Sequence, residues 1–553
     1  MQHLGSSSAA VAWLKARGTR ALRTDHRLVR PGDAFLAWPG RSHDGRRHTK
    51  AALAAGAAAC LLEARDLDLQ ALPSGDGRLA CLDELKRQAG AVADGFLGHP
   101  STALEVVAVT GTNGKTSCTW WLAQALNALG RGCGVVGTLG AGVPATAFDA
   151  TGLTTPDAVA LQSLFRRFVD QALAACAIEA SSIGIAEHRL VGTALAVAAF
   201  TNLTQDHLDY HGTMDAYAAA KRSLFDTAGL KAAVLNVDDA HGRAWAEELA
   251  THPGLAVWGI SAGASGARLC ARDVRHTEQG LTLELVETDD SGATGPGHVV
   301  RCGLIGAFNA ENLLVVAGCL RALGVPLAQV ARVLGQLTPV PGRLQRVAPV
   351  GAAPQPAVVV DYAHTPDALG KALQALASLA AARGGRLWCV FGCGGDRDTS
   401  KRRLMGRAAV QGAAHVVVTS DNPRSEAPQG ILAQILAGAR EAAGPCPDND
   451  TPDAAPASPA ASADAPCTLV VIEDRRAAIA HAVQAAAAQD VVLIAGKGHE
   501  QTQEIAGIKQ PFCDVTEAAA ALSARTRSGR AAPLDPAGSA VVAAPRAPAG
   551  QRP

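Results

Sequence analysis

The sequence predicts an α/β protein of three domains, in which a central doubly wound domain lies between an N-terminal domain and a C-terminal Rossmann-like domain. Three observations indicate this. The chain has 553 residues, enough for three or four domains of about 150 residues each. Short β-branched runs alternate with helical patterns along most of it, which is typical of parallel sheets covered by helices on both faces. A glycine-rich turn also joins one such run to a helix at residues 107–117.

The composition is that of a globular protein, with 48% hydrophobic and 18% charged residues. Fifty Lys and Arg balance 50 Asp and Glu, which argues against a general nucleic-acid binder. The longest apolar run, residues 51–62, is shorter than the roughly 20 residues that span a membrane, and the first residues do not resemble a signal peptide. Thirteen cysteines without zinc spacing indicate reduced thiols. We therefore expect a cytoplasmic protein without membrane insertion.

The predicted elements divide the chain in order. We expect an N-terminal domain at 1–100, a central domain at 101–338, a C-terminal domain at 339–528 and a disordered tail at 529–553. A stretch at about 446–467, rich in Pro, Ala, Asp and Ser, predicts a disordered insertion. The predicted strands are 106–109, 177–179, 197–201 and 234–237 in the central domain, and 358–361, 387–391, 416–419 and 491–495 in the C-terminal domain.

The strongest local signal is VAVTGTNGKTS at 107–117. Gly111 and Gly114 allow backbone N–H groups to approach phosphate oxygens, and the following helix adds partial positive charge. Lys115 is placed to reach the β- and γ-phosphates, and the Thr116 hydroxyl to bind magnesium. The first glycine of the usual phosphate-loop pattern is replaced by Val109. The alternative is a glycine turn that caps a helix, but the strand before it favours phosphate binding.

Three further residues are candidates for the same site. Glu179 ends a predicted strand, where a carboxylate faces the ligand crevice of a parallel sheet. His207 follows another strand, and oxygen and imidazole ligands suit magnesium near phosphates. Taken singly, each residue also has an ordinary structural interpretation. Glu179 is then an ion-pair partner, His207 a loop or helix-cap histidine, and Lys221 a solvated lysine.

The set of motifs resembles the Mur ligase family from about residue 24 to about residue 520, apart from the insertion at 446–467. The N-terminal pattern is looser, because an LDSR-like sequence appears here as TDHR at 24–27. The motifs, in chain order, are GTNGKTS (111–117), LTTPD (153–157), EASS (179–182), NLTQDHLDYHG (202–212), GAFNAEN (306–312), PGRLQ (341–345), DYAHTPD (361–367), FGCGGDRD (391–398), DNPR (421–424) and GKGHE (496–500).

The resemblance implies a central P-loop ATPase domain and an ATP-dependent amide ligase of peptidoglycan precursor synthesis. It implies that meso-2,6-diaminopimelate is added to the D-Glu γ-carboxylate of UDP-N-acetylmuramoyl-L-Ala-D-Glu through an acyl phosphate. It further implies Mg²⁺ and a carbamate on Lys221 formed from carbon dioxide, and we expect a monomer. Because two anionic reactants must meet, magnesium and Lys115 are needed to neutralise charge.

The resemblance also implies which residues bind each substrate. Lys115, Glu179, His207 and Lys221 are the implied catalytic set, with Thr116, Glu179, His207 and Lys221 on the metal. The implied ATP residues are Gly111, Thr112, Asn113, Gly114, Lys115, Thr116, Ser117, Asn309 and Arg343. The implied UDP-muramoyl-dipeptide residues are Thr24, His26, Arg41, Ser42, His43, Thr154, Thr155, Ser181, Glu187 and Arg189. The implied diaminopimelate residues are Arg397, Asp421, Asn422, Pro423, Arg424, Gly496 and Glu500.

The DNPR motif bears on which amino acid is added. The Arg424 guanidinium matches the second carboxylate of diaminopimelate, which L-lysine lacks. A turn with a surface arginine is the alternative interpretation.

The DYAHTPD motif is expected to place Asp361 and His364 at the seam of the last two domains. Its alternative interpretation is an ordinary helix start at Thr365-Pro366. A lysine-adding or folylpolyglutamate-type ligase, and a non-catalytic nucleotide-binding protein, are the competing functions.

Two positions depart from the family pattern. Ile183 stands where the family often has His, so a polar role there is absent or supplied by another residue. Glu187 stands where the family often has Gln, and it places an acid near an anionic substrate.

Overall fold

A computed structural model of the chain describes residues 1–40, 43–144, 146, 148–263, 266–277, 280–289, 291–351, 353–443, 467–528 and 541–544. The chain forms two compact units. The first contains residues 1–272, 285–298 and 311–336, and the second contains 273–284, 299–310 and the described part of 337–553. The predicted α/β class with parallel sheets is confirmed.

The N-terminal part of the first unit is a five-stranded parallel sheet in the order β1-β5-β4-β3-β2. Its three inner strands, β3, β4 and β5, are mostly apolar because helices cover both faces of the sheet, and Leu36 and Leu61 are fully buried. The elements are β1 Gln2–Leu4, α1 Ser7–Ala16, β2 Leu22–Arg23, β3 Ala34–Ala37, α2 Thr49–Ala54, β4 Ala59–Glu63, β5 Leu79–Leu82 and α3 Leu85–Phe96.

The central sheet begins in the same unit. Its strand order from one edge is β8-β7-β9-β6-β10-β11-β12-β13-β14-β15, and β6, β7, β9, β10, β11 and β12 run parallel. The carboxyl ends of β6, β9 and β10 therefore meet at one edge, where ligands bind in such sheets. The elements are β6 Glu105–Thr110, α4 Lys115–Ala128, β7 Cys133–Gly137, β8 Gly140–Gly142, α5 Ala158–Asp170, β9 Ala175–Glu179, α6 Ser182–Ala186, β10 Val197–Phe200, α7 Leu208–His211, α8 Met214–Arg222, β11 Ala232–Asn236, α9 Ala240–Leu249, β12 Ala256–Ser261, β13 Leu269–Thr277, β14 Gly280–Glu287, β15 His298–Cys302, α10 Phe308–Ala322 and α11 Leu327–Leu334.

The second unit contains a seven-stranded sheet in the order β16-β17-β21-β18-β19-β20-β24. The five inner strands are parallel, and two antiparallel strands form the edges. The elements are β16 Gln345–Arg346, β17 Ala357–Asp361, α12 Pro366–Ala382, β18 Leu387–Phe391, α13 Ser400–Gly412, β19 His415–Val418, α14 Pro428–Ala443, β20 Cys467–Val471, α15 Arg475–Ala485, β21 Val491–Ala495, the hairpin β22 Thr502–Ile505 and β23 Ile508–Pro511, α16 Asp514–Ser528 and β24 Val541–Ala544.

Each of the eight predicted strands lies within one residue or two of an observed one, and β18 and β21 agree in full. The predicted insertion lies outside the described residues apart from Cys467, which begins β20. Most of the predicted tail also lies outside them, and the described exception is β24, which pairs with β20. The domain boundaries stay a prediction. Within the described chain, none of the helices has the length and apolarity to cross a bilayer.

Candidate active site

The glycine-rich turn connects β6 to α4, as the sequence predicts. Gly111 has φ of 143° and Gly114 has φ of 90°, a backbone region that side chains rarely adopt. A Cβ on Gly111 would lie 1.9 Å from the Thr201 Oγ1, and one on Gly114 would lie 2.3 Å from the Asn312 Oδ1. Both positions therefore need glycine, because the loop packs against its neighbours without room for a methyl group.

The loop is tied to the segment that follows β10. The backbone N–H of Asn113 donates to the Asn202 Oδ1 at 3.0 Å, and the Thr112 hydroxyl donates to the Thr204 carbonyl at 3.0 Å. The Lys115 ammonium folds over the loop and donates to the carbonyls of Gly111 at 2.8 Å and Thr112 at 2.9 Å. Ser117 lies buried on α4. Hydrogen bonds thus hold together the turn and the start of α4, which carry the loop residues predicted to bind ATP.

Glu179 ends β9, beside β6, and only 2% of the residue is exposed. The Thr116 hydroxyl donates to its Oε2 at 3.0 Å. Thr138 follows β7 and donates twice, from its backbone N–H to the Oε1 at 2.8 Å and from its hydroxyl to the Oε2 at 3.1 Å. This set of carboxylate and hydroxyl oxygens fits a hard cation such as Mg²⁺. Within the described ranges, clusters of three or more His, Cys, Asp or Glu that could hold a metal are absent.

Lys221, on α8, is 1% exposed. Its Nζ donates to the Gly111 carbonyl at 2.7 Å, the same oxygen that Lys115 contacts, and it lies 4.3 Å from the ring centroid of Tyr217. Burial, and then the charge of Lys115, lower the pKa of Lys221 well below the ordinary range of a lysine. The structure therefore brings Lys221 to the phosphate loop as an amine that favours its neutral form.

His207 lies in the segment between β10 and α7, in a left-handed conformation with φ of 54°. Its ring is edge-on to that of Tyr217, 6.2 Å between centroids, and 43% of its side chain is exposed. Burial of the ring, and then the charges of Lys115 and Lys221 against that of Asp206, leave its pKa below the ordinary value. A neutral imidazole is the form that binds metals.

Several residues predicted to face the muramoyl peptide do lie together at the end of β9. The Thr155 hydroxyl donates to the Glu179 carbonyl at 2.6 Å and accepts from the Ser181 backbone N–H at 3.0 Å. Arg189 donates to the Thr155 carbonyl at 2.8 Å. The Thr154 hydroxyl is 3.1 Å from that of Thr138, which places it beside Glu179.

Glu187 is engaged by groups of the chain itself. The Lys86 ammonium, on α3, lies 2.5 Å from its Oε2, and the Tyr210 hydroxyl donates to its Oε1 at 2.5 Å. Burial raises the pKa of this carboxyl, but the bonds from Lys86 and Tyr210 outweigh it and leave the pKa lowered. The acid that replaces the family's amide thus has a cation beside it.

Two of the predicted uridine-side residues, His26 and His43, both contact His48, the residue before α2. The Thr24 hydroxyl donates to the Asp157 carboxylate at 3.3 Å. The rings of His26 and His48 stack at 3.9 Å, and the Nε2 atoms of His43 and His48 are 2.7 Å apart. Arg41 and Ser42 lie outside the described residues.

In the second unit, the ends of β19 and β21 bring four polar residues together. Asn422 donates from its Nδ2 to the Glu500 Oε2 at 2.8 Å. Lys497, which is 0% exposed, donates to the Asn422 Oδ1 at 3.0 Å and to the Glu500 Oε2 at 2.7 Å, and it lies 3.7 Å from the Asp421 Oδ1. Burial raises the pKa of Glu500, but Lys497 and Asn422 oppose it and leave the pKa lowered. Burial is the larger effect on Asp421, whose pKa is raised.

Arg424 lies next to this cluster and is only partly exposed. Its φ is 53°, and its guanidinium donates to the Gly395 carbonyl at 2.6 Å. Its backbone also bridges to Ile505 of β22, so it belongs to an ordered strand edge rather than to a free surface turn. A Cβ on Gly496, where φ is 117°, would lie 3.7 Å from the Asp421 carboxylate, whereas Arg397 is exposed. Pro423 lies buried between Asn422 and Arg424.

Asn309 and Arg343 belong to the second unit, and their predicted nucleotide contacts stay predictions. Asn309 donates to the Ile305 carbonyl at 2.7 Å, and the Arg343 guanidinium lies 4.4 Å from the Tyr362 ring centroid. The carboxylate of Asp361 accepts from the backbone N–H groups of Leu344 and Ala363. His364 packs edge-on against Tyr362, and Thr365 caps α12 through a bond from the Ala368 N–H, as the alternative interpretation of that motif predicts.

Three residues of these sites were not singled out from the sequence. Thr138 directly follows a strand, which is a detectable signal. Lys497 stands inside the GKGHE motif, but nothing in a single sequence distinguishes a buried lysine from an exposed one. Lys86 is distant in sequence from Glu187, so its role emerges only from the fold.

Comparison with known proteins defines the class. Residues 109–320 match the Mur ligase middle domain, and residues 342–498 match the Mur ligase glutamate ligase domain. The chain belongs to the Mur ligase family. It is 52% identical, over 93% of this chain and 97% of the relative, to the UDP-N-acetylmuramoyl-L-alanyl-D-glutamate–2,6-diaminopimelate ligase of Acidovorax sp. (strain JS42). The protein of the same name from Pseudomonas aeruginosa is 44% identical over 91% of this chain and 95% of its own length.

A solved structure of a UDP-N-acetylmuramoyl-L-alanyl-D-glutamate–2,6-diaminopimelate ligase is also similar. It superposes with a TM-score of 0.61 at 33% identity, over 92% of this chain and 95% of that chain. Sequence and fold thus agree on the family over nearly the full length.

Proposed function

We propose that this chain is an ATP-dependent ligase that adds meso-2,6-diaminopimelate to UDP-N-acetylmuramoyl-L-Ala-D-Glu in peptidoglycan precursor synthesis. The observation that carries the proposal is the match to relatives named for this reaction, 52% identical over 93% of the chain. The D-Glu γ-carboxylate attacks the γ-phosphorus of ATP and releases ADP. The amine of diaminopimelate then attacks the acyl phosphate, and phosphate leaves as the amide forms.

In this proposal the loop 111–117 holds the ATP phosphates, and Lys115 supplies a positive charge to them. The Lys115 ammonium already lies over the loop, where it donates to the carbonyls of Gly111 and Thr112. Asn309 and Arg343 contact the rest of the nucleotide.

Magnesium fits the oxygen donors described at Glu179. Thr116 and Glu179 hold one ion, and His207 and a carbamate on Lys221 help to hold a second. Bound there, magnesium neutralises the phosphate charge during transfer. Thr138 orients the Glu179 carboxylate through two hydrogen bonds.

The carbamate is supported by the state of Lys221. Only a neutral amine reacts with carbon dioxide, and burial beside Lys115 favours that form. The Nζ–C bond forms as one proton is lost, which turns a potential cation into an anionic oxygen donor. An ammonium at this position would repel a metal, whereas a carbamate attracts it.

The UDP-muramoyl dipeptide is proposed to bind along the residues of the first unit named above. Thr24, His26, Arg41, Ser42 and His43 take the uridine side. Thr154, Thr155, Ser181 and Arg189 take the peptide side, where Arg189 pairs with a substrate carboxylate. Glu187 acts there through its contacts with Lys86 and Tyr210.

The diaminopimelate is proposed to bind at the cluster in the second unit. Arg424 and Arg397 pair with the distal carboxylate, and Glu500 pairs with the distal ammonium. Asp421, Asn422, Pro423 and Gly496 shape the site. We also propose that the enzyme is a cytoplasmic monomer that binds no nucleic acid.

The test is a matrix of phosphate-release assays with ATP, Mg²⁺ and the UDP-muramoyl dipeptide, in which the amino acid is varied. We expect phosphate release with meso-diaminopimelate, and loss of nearly all turnover with L-lysine. Equal rates with both would contradict the role of Arg424. Release with L-lysine or glutamate alone would indicate a sister ligase, and no release with any amino acid would indicate a non-catalytic nucleotide-binding protein.

A further inference from the structure

The cluster of Asp421, Asn422, Lys497 and Glu500, where diaminopimelate is proposed to bind, contains a buried lysine. The sequence assigns no substrate contact to that lysine. Lys497 is 0% exposed, and its ammonium contacts the Asn422 and Glu500 side chains at 3.0 and 2.7 Å. Burying an ammonium is costly unless it is paired and hydrogen-bonded. A lysine kept in such a place therefore needs a reason in the site that it supports.

Lys497 fixes the direction of two side chains. Because the Asn422 Oδ1 accepts from Lys497 and from the Glu504 backbone N–H at 3.0 Å, the Asn422 Nδ2 must point towards the Glu500 Oε2. Within the described chain, the hydrogen bonds from Asn422 and Lys497 to the Glu500 carboxylate both go to Oε2. They therefore leave the acceptor capacity of Oε1 for a ligand.

Lys497 also sets the charge of the site. Asp421 and Glu500 bring two carboxyl groups to one ammonium, at 3.7 and 2.7 Å. The distal end of diaminopimelate carries one carboxylate and one ammonium, whereas that of L-lysine carries an ammonium alone. A site without the Lys497 charge would be more acidic and would favour the purely cationic end group.

We propose that Lys497 is a positioning residue that orients Asn422 and Glu500 and, by cancelling one carboxylate charge, makes the site prefer a zwitterionic end group over a cationic one. This inference rests on the proposed function. Glu500 then recognises the distal ammonium and Arg424 the distal carboxylate. Lys497 sets the net charge of the site and so the relative affinity for diaminopimelate and L-lysine.

The test compares the full-length wild type with Lys497→Met and Lys497→Gln in phosphate-release assays with meso-diaminopimelate and with L-lysine. We expect the ratio of the two kcat/KM values to fall at least about tenfold, since a charge this close to the ligand is weakly screened. The change should fall on the KM for the amino acid, while the KM for ATP stays within about twofold. A merely structural role would alter both KM values together.

Two further variants complete the design. Lys371→Met removes a half-buried lysine of α12, paired with Asp367 at 3.1 Å, and should leave the ratio unchanged. Lys497→Met combined with Glu500→Gln removes one charge of each sign and should return the ratio to within about threefold of wild type. Should Lys497→Met fail to fold, Lys497→Gln, which retains hydrogen bonding, supplies the ratio.

A ratio within threefold of wild type in the folded single variants would overturn the inference and leave the proposed function standing. A wild type that does not use meso-diaminopimelate would overturn both.

Discussion

Lys221 and Lys497 are both fully buried lysines, at 1% and 0% exposure, yet their surroundings are opposite. Lys221 contacts a backbone carbonyl and an aromatic ring, with a second lysine on the same carbonyl. Lys497 contacts an amide oxygen and two carboxyl groups. Burial alone therefore does not decide what a lysine does. The surroundings of Lys221 lower its pKa and so disfavour the charged form, whereas Lys497 lies among oxygen atoms that accept its hydrogen bonds.

Arg475 and Asp514 extend this comparison to an ion pair in which both side chains are fully buried. Their two hydrogen bonds measure 2.7 and 2.8 Å, and Arg475 also donates to the Ala495 carbonyl at the end of β21. We expect Arg475→Met to lower the free energy of unfolding by about 3–5 kcal/mol, because it leaves a buried carboxylate without its cation. Urea unfolding measures this.

The double variant Arg475→Met with Asp514→Leu is the control. It removes both charges, so most of the stability should return. If the double variant is as unstable as the single one, packing rather than the unpaired charge is the cause.

Lys221→Met tests the other side of the comparison. We expect kcat to fall about 10²- to 10³-fold, as for loss of one group that stabilises transferred charge. The thermal midpoint should not fall, because the variant removes an amine that is costly to bury. The pKa of Lys221 is lowered on folding, so wild type gains stability as pH rises towards the ordinary range of lysine, and Lys221→Met lacks that gain.

Removal of carbon dioxide separates modification from burial. Wild type in degassed, bicarbonate-free buffer should lose activity and recover it when bicarbonate is restored. Lys221→Met should not respond to bicarbonate. Full activity of the wild type without carbon dioxide would contradict the carbamate.

The sequence predicts the phosphate side of this molecule better than the amino-acid side. Gly111, Gly114 and Glu179 belong to a continuous strand–turn–helix pattern and to a strand end, and such local signals survive in a single chain. The resemblance adds Asn422, Arg424 and Glu500. The role of Lys497 is not predicted, because its burial depends on how β19, β21 and the hairpin β22–β23 pack together. No local spacing in the sequence encodes that packing.

The same reasoning explains Glu187. The sequence marks it as an acid where an amide is usual, but its partner Lys86 lies on α3, about a hundred residues earlier. Long-range pairing of this kind follows from how the N-terminal sheet packs within the first unit. Such a pairing cannot be inferred from periodicity, and the sequence therefore predicts only a substrate contact for Glu187.

Glu179→Gln sharpens the comparison at the cation site. It keeps the side-chain shape and one acceptor for Thr116 and Thr138 but removes the charge that favours a divalent ion. We expect the Mg²⁺ concentration for half-maximal phosphate release to rise about 10- to 100-fold. Glu248→Gln, at a surface pair with Arg222, is the control and should leave that concentration unchanged. An unaltered Mg²⁺ requirement in Glu179→Gln would remove Glu179 from the ligand set.

Glu187→Gln is expected to have the smallest effect and decides between two roles. Lys86 and Glu187 are 30% and 19% exposed, so solvent weakens their pair, and the double-mutant cycle with Lys86→Met should give a coupling of about 0.2–1 kcal/mol in urea unfolding. If Glu187 acts through Lys86 and Tyr210, the KM for the UDP-muramoyl dipeptide changes less than about threefold, since glutamine keeps the Tyr210 bond. Because an acid beside an anionic substrate repels it, a direct contact of Glu187 with the substrate predicts tighter binding in Glu187→Gln. A KM about tenfold lower would therefore mean that Glu187 touches the substrate directly, whereas a higher KM would mean that positioning is lost.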